Sequence, residues 1–417
     1  MSENRYSHTS SNRLVRRTVA LVLAGGKGTR LKNLTNKVAK PAVSFGGKYR
    51  IIDFTLSNCV NSGVRNVGVL TQYMAHQLIM HLQAGWQMLS PSLKEGVSII
   101  PAQQRTGENW YRGTADAVYQ NLDIIDHDRF DRVLILGGDH IYKMDYSRMI
   151  NFHAENDADV TVACIRKPLS QASSFGVMGL DDSGRIVDFE EKPKNPKPDP
   201  GHPEDALVSM GIYIFNMDVL DEELRQGLLK PGYAHDFGHN VIPEMLKDRK
   251  VFGYVFSAPG HPGRTAYWRD VGNLDEFFAA NIDLLDPDPE LDLYDRDWPV
   301  ITEQKQRPGA KFVFNEEQRC GYATDSLIAA GVIVSGAKVN RSLLSIDVRV
   351  EERSELDEVI ALEGATVGKN CRLRRVIIGE DCVVPDNTVI GYDPEIDKQR
   401  FVCSEKGVVL VTRDMFE

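Results

Sequence analysis

Apolar residues recur about every six positions towards the C-terminal end of the chain, and this period restricts the possible folds more than any other feature of the sequence. A spacing of six matches neither the 3.6-residue period of an α-helix nor the two-residue alternation of a β-strand. It is typical of hexapeptide repeats that coil into a parallel β-helix. The alternative is a small domain of irregular short strands, but only three steps shorten to five residues, so the coil is favoured. The series is Ile333, Val339, Leu344, Val350, Leu356, Leu362, Val367, Leu373, Ile378, Val384 and Ile390.

The first 285 residues alternate instead between strand-like and helix-like segments. Continuous apolar runs predict buried strands, and longer mixed runs predict helices between them. This alternation is typical of an α/β domain with a mostly parallel sheet. The predicted strands cover 18–23, 66–70, 96–100, 132–136 and 159–165, and the predicted helices cover 53–63, 114–125 and 145–156.

The change in the spacing of apolar residues, together with two polar segments, divides the chain into four parts. Residues 1–17 are polar and basic and lack the apolar core of a signal peptide, so we expect a flexible N-terminal segment. An α/β domain is predicted over 18–285. Residues 286–310 are polar and contain prolines, which is typical of a linker. The β-helix domain is predicted over 311–417.

Composition excludes several classes of protein. A net charge of −10 argues against a general nucleic-acid binder. No apolar run reaches the length of a membrane span, so we expect no membrane partner. The six cysteines are scattered without a C-x-x-C pair, which favours buried free thiols in a reducing compartment. The expected location is therefore the cytoplasm.

The stretch LVLAGGKGTR places a glycine-rich turn directly after the first predicted strand. Its spacing fits neither the Walker A pattern nor the dinucleotide-binding fingerprint. Gly25, Gly26 and Gly28 would let backbone N–H groups approach an anion. Arg30 and Lys40 would add positive charge beside it. The alternative is an ordinary turn next to a solvated basic surface.

Two aspartates lie in predicted loops of the same domain. Asp139 follows a buried strand, at the edge of the sheet where α/β domains bind ligands. Asp270 lies in the loop YWRDVGN. Carboxylates suit a hard divalent cation beside phosphates, so this pair suggests Mg²⁺-assisted phosphoryl or nucleotidyl transfer. The alternatives are a capping aspartate at 139 and a surface salt bridge between Asp270 and Arg269.

Further positions could contact a phosphorylated sugar. Glu191 and Lys192 offer an acceptor and a cation side by side, although such a pair is more often a solvated charge run. Gly113 and Thr114 open a predicted helix, a position that favours anions. Gly176 would permit close approach of a ligand or would simply form a turn.

Taken together, these motifs resemble the bacterial glucose-1-phosphate adenylyltransferases, a family of sugar nucleotidyltransferases. The resemblance runs from about Val19 to the C-terminus. It implies a Rossmann-like nucleotidyltransferase domain followed by a left-handed parallel β-helix. It also implies transfer of the adenylyl group of ATP to α-D-glucose 1-phosphate, the first committed step of glycogen or starch synthesis. Beyond the glycine-rich turn, the matching motifs are FGGKYRIIDFTLSN (45–58), WYRGTADAVYQN (110–121), GGDHIYKMDY (137–146), FGVM, EKP and YWRDVG.

The resemblance also implies a role for each matching residue. Asp139 and Asp270 would hold Mg²⁺, while Arg30 and Lys40 would neutralise the triphosphate. The expected nucleotide-binding residues are Leu23, Gly25, Gly26, Gly28, Gln72, Gly113 and Thr114. The expected contacts to glucose 1-phosphate are Tyr111, Gly176, Glu191, Lys192, Ser209 and Tyr213.

Members of this family are homotetramers that respond to anionic metabolites bound between the two domains. By this likeness, Gln72 and Trp110 would couple regulation to catalysis. Val38 and Ser44 stand where enteric-type relatives carry arginine and histidine, which leaves the identity of the effectors open. The residues expected to bind anionic effectors are Lys37, Arg50, Arg372, Arg374 and Arg413.

Two rival functions remain open at this point. The chain could be a sugar-1-phosphate nucleotidyltransferase that uses another nucleoside triphosphate. It could also be a non-catalytic regulatory subunit, although Arg30, Lys40 and Asp139 are all present. Bifunctional uridyltransferase–acetyltransferases have the same domain order, but this C-terminal coil is shorter and lacks an obvious acetyl-transfer histidine.

Overall fold

The computed structural model describes residues 12–103, 110–228, 230, 233–258, 266–316 and 319–416. Within these ranges an α/β domain is followed by an extended segment and a parallel β-helix. The strands of the α/β domain are β1 (Thr18–Ala24), β2 (Ser44–Phe45), β3 (Tyr49–Arg50), β4 (Asn66–Thr71), β5 (Gly96–Pro101), β6 (Arg132–Gly137), β7 (His140–Tyr142), β8 (Val160–Pro168), β9 (Gly176–Leu180), β10 (Ile186–Glu191), β11 (Asp205–Asn216), β12 (Val251–Val255) and β13 (Trp268–Asp270).

Helices cover both faces of the main sheet. Short 3₁₀ turns at Thr29–Thr35, Lys40–Ala42, Pro91–Leu93 and Leu122–Ile124 and a π-helical turn at Phe237–Val241 complete the domain. The α-helices are α1 (residues 12–16), α2 (Ile51–Asn61), α3 (His76–Gly85), α4 (Thr114–Tyr119), α5 (Tyr146–Glu155), α6 (Leu169–Ala172), α7 (Met217–Leu228), α8 (Ile242–Met245) and α9 (Leu274–Asp283).

The main sheet is mixed, with strand order β10-β9-β11-β6-β1-β4-β5. Strand β1 is parallel to β4 and β6, and β5 is parallel to β4. Strand β11 is antiparallel to β6, β8 and β9, and β12 joins the sheet through β8. Because β1 is central and covered on both faces, its sequence TVALVLA is almost entirely apolar and buried.

Two expectations for this domain need correction. The helix predicted over 114–125 ends at Tyr119, because the Asn121 amide donates to the Ala117 carbonyl (2.8 Å) and replaces the backbone bond that would continue the helix. Residues 1–11 of the predicted flexible segment lie outside the described residues. Residues 12–16, however, form α1, and its Val15 is buried against the core.

The segment 286–310, all of it described, contains neither helix nor strand. It lies against helix α2 through specific hydrogen bonds. Trp298 Nε1 donates to Asn58 Oδ1 (2.9 Å), and the Thr302 hydroxyl donates to Asp53 Oδ2 (2.7 Å). The connection between the domains is therefore fixed to the α/β domain.

The β-helix is built from short parallel strands on three sides of a coil. Near its end α10 (Pro394–Arg400) and a 3₁₀ turn at Arg413–Met415 accompany the coil. The strands are β14 (Lys311–Val313), β15 (Asn315–Glu316), β16 (Arg319–Cys320), β17 (Tyr322–Thr324), β18 (Leu327–Ile328), β19 (Ile333–Ser335), β20 (Lys338–Asn340), β21 (Leu343–Leu344), β22 (Arg349–Val350), β23 (Glu355–Ala361), β24 (Thr366–Val367), β25 (Arg372–Ile378), β26 (Val383–Val384), β27 (Val389–Ile390), β28 (Val402–Cys403) and β29 (Val409–Val411).

The six-residue period is confirmed at the level of individual side chains. Val339 pairs with Leu356, and Leu356 pairs with Leu373 one coil further on, 17 residues away. The members of the series from Val339 to Ile390 are all buried. Ile333 was a wrong choice, because it is only half-buried and the neighbouring Val334 points into the coil and pairs with Val350.

The two domains share an apolar core. The β-helix residues Leu343, Ile360, Ile377 and Leu410 belong to the same buried cluster as the inner face of the α/β domain. Arg375 on β25 also lies over the ring of Phe278 on α9, at 5.2 Å from its centre. The domain contact is therefore a packed interface.

The cysteines are unpaired, as expected. Cys320 and Cys403 are only partly buried, while the other four are buried. Burial raises the pKa of the Cys164 thiol to about 12, so this thiol stays protonated and unreactive. Among the described helices, none combines the length and the apolar character needed to cross a bilayer.

Candidate active site

A cavity of about 430 Å³ opens at the carboxyl ends of β1, β4 and β6. This is the edge where an α/β sheet is expected to bind ligands. Ala24 of the glycine-rich turn lines it, as do residues that sequence reasoning did not single out: Pro41, Leu70, Arg112, Ala117, Gly137, His140, Gly211, Asp236, Phe237 and Gly238. The predicted residues that line it are Leu23, Gly25, Gly26, Gln72, Tyr111, Gly113, Thr114, Asp139, Glu191 and Tyr213.

A small two-stranded sheet brings the two predicted aspartates together. Strand β13 pairs antiparallel with β7, so that Asp270 lies opposite His140, the neighbour of Asp139. Lys40 lies between the two carboxylates. Its Nζ donates to Asp139 Oδ2 (2.9 Å) and to Asp270 Oδ1 (2.8 Å). Three predicted catalytic residues thus form one bridged cluster, which reaches the cavity through Asp139.

Burial and charge act in opposite directions on this cluster. Burial alone would lower the pKa of Lys40, but Asp139 and Asp270 outweigh it and raise that pKa above its ordinary value. Burial would likewise raise the pKa of Asp139, but Lys40 and His140 hold it well below its usual range. The lysine therefore stays protonated and Asp139 stays ionised at neutral pH.

The same cluster has the donor set of a cation site. Asp139, His140 and Asp270 each offer one ligand atom, and these atoms lie within 4.8 Å of one another. Carboxylate oxygens suit Mg²⁺, and the Lys40 ammonium already occupies a cation position between them. Sequence reasoning missed His140, although its position beside Asp139 in GGDH was the available signal.

The glycine-rich turn supports the lysine as well as the cavity. Gly28 has a φ of 61°, and a Cβ there would lie 2.8 Å from Cβ of Lys40. A larger residue would therefore push Lys40 away from the carboxylates. Arg30 lies on the outer side of the cluster, with NH2 3.8 Å from Asp270 Oδ2 and most of its side chain exposed. Gly28, Arg30, Lys40 and Asp270 do not themselves line the cavity.

Gln72 and Tyr111 meet across one wall of the cavity. Gln72 Nε2 donates to the Tyr111 carbonyl (3.4 Å), so the loop after β4 contacts the loop before α4. Trp110, a predicted coupling residue that precedes Tyr111 in the chain, is half exposed. Gln72 and Tyr111 are thus in contact, and Trp110 does not line the cavity.

Another wall is formed where α4 begins. A Cβ on Gly113 would lie 2.3 Å from the His235 carbonyl oxygen, so only glycine permits this close approach. The Thr114 hydroxyl donates to Asp236 Oδ2 (3.0 Å), and the Phe237 N–H donates to the Thr114 hydroxyl oxygen (3.1 Å). These contacts position the π-helical turn, whose sequence carried no period that would have predicted it.

The Glu191 carboxylate is held between two glycines. A Cβ would lie 2.8 Å from Glu191 Oε2 if added to Gly176 and 2.5 Å if added to Gly238. The neighbouring Lys192 Nζ lies 2.8 Å from Glu191 Oε1. Gly176 and Lys192 do not line the cavity, but both act on the glutamate that does.

Tyr213 and Ser209 lie on the long strand β11. The ring of Tyr213 stacks on Phe237 with 5.6 Å between centres. Burial raises the pKa of Tyr213 above its ordinary value, so the hydroxyl stays protonated. Ser209 is buried and does not line the cavity, and its hydroxyl oxygen accepts from the Gly211 N–H (3.2 Å).

A second cavity of about 320 Å³ lies between the domains. Lys37 and Arg413, two of the residues expected to bind effectors, line it. The acidic residues Glu380, Asp381 and Asp414 also line it, so its charges are mixed.

The other expected effector residues do not line this cavity. Arg50 adjoins this second cavity through an ion pair with Glu380 (3.4 Å). Arg372 lies over the Tyr392 ring at 4.7 Å. Arg374 lies 3.6 Å from Asp357. The structure does not bring Arg372 and Arg374 to the cavity between the domains.

Comparison with known proteins agrees with this geometry. Residues 19–287 match the nucleotidyl transferase family, and residues 308–411 match the GlmU-like C-terminal hexapeptide family. The chain is 53% identical over 417 residues to the glucose-1-phosphate adenylyltransferase of Methylobacillus flagellatus, covering 100% of this chain and 97% of the relative. It is 52% identical to that of Methylococcus capsulatus (98% and 96% covered) and 51% identical to that of Paramagnetospirillum magneticum (97% and 95% covered).

Proposed function

The chain belongs to the glucose-1-phosphate adenylyltransferase family, and on this premise we propose that it transfers the adenylyl group of ATP to α-D-glucose 1-phosphate, giving ADP-glucose and pyrophosphate. The observation that carries the proposal is the bridge from Lys40 to Asp139 and Asp270 beside a cavity lined by the glycine-rich turn. This product would commit carbon to glycogen or starch.

The reaction needs an oxygen of the sugar phosphate to attack the α-phosphorus of ATP in line with the leaving pyrophosphate. Negative charge then accumulates on the phosphates, so catalysis rests on positioning and on nearby positive charge. Arg30 and Lys40 supply that charge, and the backbone N–H groups of Gly25 and Gly26 face the nucleotide. No covalent intermediate on the protein is required.

Asp139 and Asp270 are the residues that would hold Mg²⁺, with His140 beside them. When bound, the ion would neutralise charge on the phosphates as a Lewis acid. Lys40 keeps the two carboxylates together and offsets their repulsion. The two proposed metal ligands are thus held side by side.

The sugar phosphate is assigned to the wall that carries Glu191 and Tyr213. Glu191 can accept hydrogen bonds from sugar hydroxyls, because Gly176 and Gly238 fix its carboxylate. Lys192 supplies a cation for the sugar phosphate.

The proposed regulation uses the cavity between the domains. Lys37 and Arg413 would contact an anionic metabolite there, and Gln72 and Trp110 would pass the effect to the nucleotide loops. Assembly into a homotetramer is part of the same proposal.

The deciding experiment measures pyrophosphate release from glucose 1-phosphate with ATP, UTP, dTTP or GTP. Each reaction is run with and without fructose 1,6-bisphosphate, fructose 6-phosphate, pyruvate and AMP. We expect ATP to be used best. A higher rate with another nucleotide would support a different nucleotidyltransferase, and no release with any of them would support a non-catalytic subunit.

A further inference from the structure

One corner of the β-helix contacts the rest of the chain in successive coils. Ile346, Glu363 and Glu380 occupy this corner at intervals of 17 residues. The Ile346 N–H donates to the Gly47 carbonyl (3.1 Å), and Glu363 pairs with Lys305 of the connecting segment. The third corner residue, Glu380, makes the contact that concerns catalysis.

Glu380 joins both strands of the β2–β3 hairpin. The Ser44 hydroxyl donates to Glu380 Oε1, and Arg50 NH1 lies 3.4 Å from the same oxygen. Ser44 and Arg50 lie opposite each other in the hairpin. The side chains of Arg50 and Glu380 are 14% and 29% exposed, so the contact is largely shielded from solvent. One carboxylate oxygen therefore fixes both strands.

Arg50 continues this connection towards the active site. Its NH1 also donates to the Ala42 carbonyl, at the end of the 3₁₀ turn that begins at Lys40. Lys40 in turn holds the two active-site carboxylates. A continuous set of contacts thus leads from Glu380 through Arg50 and Ala42 to Lys40.

Glu380 also lines the cavity proposed to bind an anionic effector. It already offers Arg50 what a bound anion would offer, a negatively charged oxygen close to the guanidinium. We propose that Glu380 is a positioning residue that acts as a tethered anion and holds the hairpin, and through it Lys40, in the arrangement used for catalysis. An external anion would then act at the Lys37 end of the cavity. This inference rests on the proposed function.

Replacing Glu380 tests the idea by chemical rescue. Glu380→Ala should lower the rate of pyrophosphate release roughly tenfold, within the usual range of coupling between sites. Sodium acetate, at ionic strength held constant with sodium chloride, should restore the rate with saturation, because its carboxylate can take the vacated place. Glu380→Gln keeps an acceptor for Ser44 without the charge, so it should be impaired and should not respond to acetate.

Glu363→Ala is the matched control, because it removes the equivalent acid one coil earlier, where the partner is Lys305. Neither this variant nor the unchanged protein should be activated by acetate. Acetate should also raise the unfolding temperature of Glu380→Ala more than that of the unchanged protein.

Full activity of Glu380→Ala, a loss that acetate does not restore, or an equal response of Glu363→Ala would each overturn the inference. If the unchanged protein released no pyrophosphate from any nucleotide, the proposed function would fail instead. The shift in unfolding temperature would then still decide whether an anion can replace Glu380.

Discussion

Leu356 in the β-helix and Lys40 in the catalytic domain are both buried, but different kinds of contact hold them in place. Leu356 is paired with Val339 below it and Leu373 above it, and each of these equivalent residues has similar surroundings. Lys40 is held by carboxylates 99 and 230 positions away in the chain, and no repeat specifies either contact. The β-helix thus places residues by repetition, whereas the catalytic domain places them by single long-range pairings.

This difference predicts where a single change does most harm. At a repeated position, the equivalent side chains in neighbouring coils remain when one is truncated. The truncation should therefore lower the free energy of unfolding in proportion to the buried surface removed. A unique charged contact at the active site has no substitute, so its loss should appear in the rate while the fold remains.

The largest effect is expected for Asp139→Asn. The variant loses a charge at the proposed metal site and one partner of Lys40, so kcat should fall by roughly 10²–10⁴. Pyrophosphate release measures the loss, and circular dichroism verifies that the fold is retained. Asp325→Asn, an exposed acid in the β-helix, is the control. Near-normal turnover of folded Asp139→Asn would contradict the assignment.

Next in size is the loss of a repeated core side chain. Leu373→Ala should lower the free energy of unfolding by about 3 kcal/mol, through lost burial and a cavity inside the coil. Urea denaturation measures it. Val389→Ala, a half-exposed position on the neighbouring strand β27, should cost below about 0.5 kcal/mol. Equal costs for the two variants would show that inward position does not set stability here.

The buried polar contacts of the catalytic domain predict a dependence on pH. Burial lowers the pKa of His153 from 6.5 to about 4, and the neutral ring bonds Thr161 and Asn216. Between these two pH values the unfolded chain binds a proton that the folded chain does not. The stabilisation is complete above pH 6.5 and should fall by about 3 kcal/mol as the pH drops towards 4.

Urea denaturation across this pH range tests the assignment of His153. His153→Gln should show a flatter profile than the unchanged protein. His76→Gln, an exposed histidine, should leave the profile unchanged. If the unchanged protein and His153→Gln lost stability in parallel, the pH dependence would have another source.

A smaller effect is expected for Lys192→Gln. If Lys192 binds the sugar phosphate equally in the ground state and the transition state, KM for glucose 1-phosphate should rise about tenfold with little change in kcat. The KM for ATP should stay the same. Initial rates over a range of concentrations of both substrates give the two KM values and kcat. Lys197→Gln is the control, because Lys197 pairs with Asp188. A large kcat defect with an unaltered KM would give Lys192 a different role.

The smallest effect concerns Lys37. Lys37→Ala should reduce the ratio of activated to unactivated rate by about fivefold, because it removes one charge from the cavity between the domains. A titration with fructose 6-phosphate measures this ratio. Lys398→Ala, on the exposed helix α10, is the control. An unchanged midpoint and extent of activation would place the effector elsewhere.

The contrast between repeated and single long-range contacts also explains which parts of the structure the sequence predicts. The six-residue period predicted the inward positions of the coil because every coil repeats the same requirement. The prediction of Ile333 instead of Val334 was wrong because residues 332–334 are all apolar, and steps of five and six residues both occur in the series. The strand and helix pattern predicted the α/β sheet for a similar reason, since burial acts on every residue of a central strand.

The active-site contacts were predictable only in part. Motif likeness selected Lys40, Asp139 and Asp270, but the bridge between them depends on the pairing of β7 with β13, which no local pattern encodes. His140 and Asp236 reach the cavity through the same kind of long-range arrangement. No local pattern marks Glu380, because its partners lie 330 and 336 positions away.

The corner at Ile346, Glu363 and Glu380 places one contact in each successive coil, so the spacing between coils sets the spacing between these contacts. Neighbouring coils are separated by about 4.8 Å, the spacing of paired strands. Deleting residues 347–363 would remove one coil and keep the pattern of inward residues. It would move Glu380 by one coil spacing towards the coil whose Ile346 contacts Gly47. That step exceeds the reach of a hydrogen bond, so the hairpin would lose its carboxylate. The number of coils between Ile346 and Glu380 therefore decides whether this carboxylate reaches the hairpin.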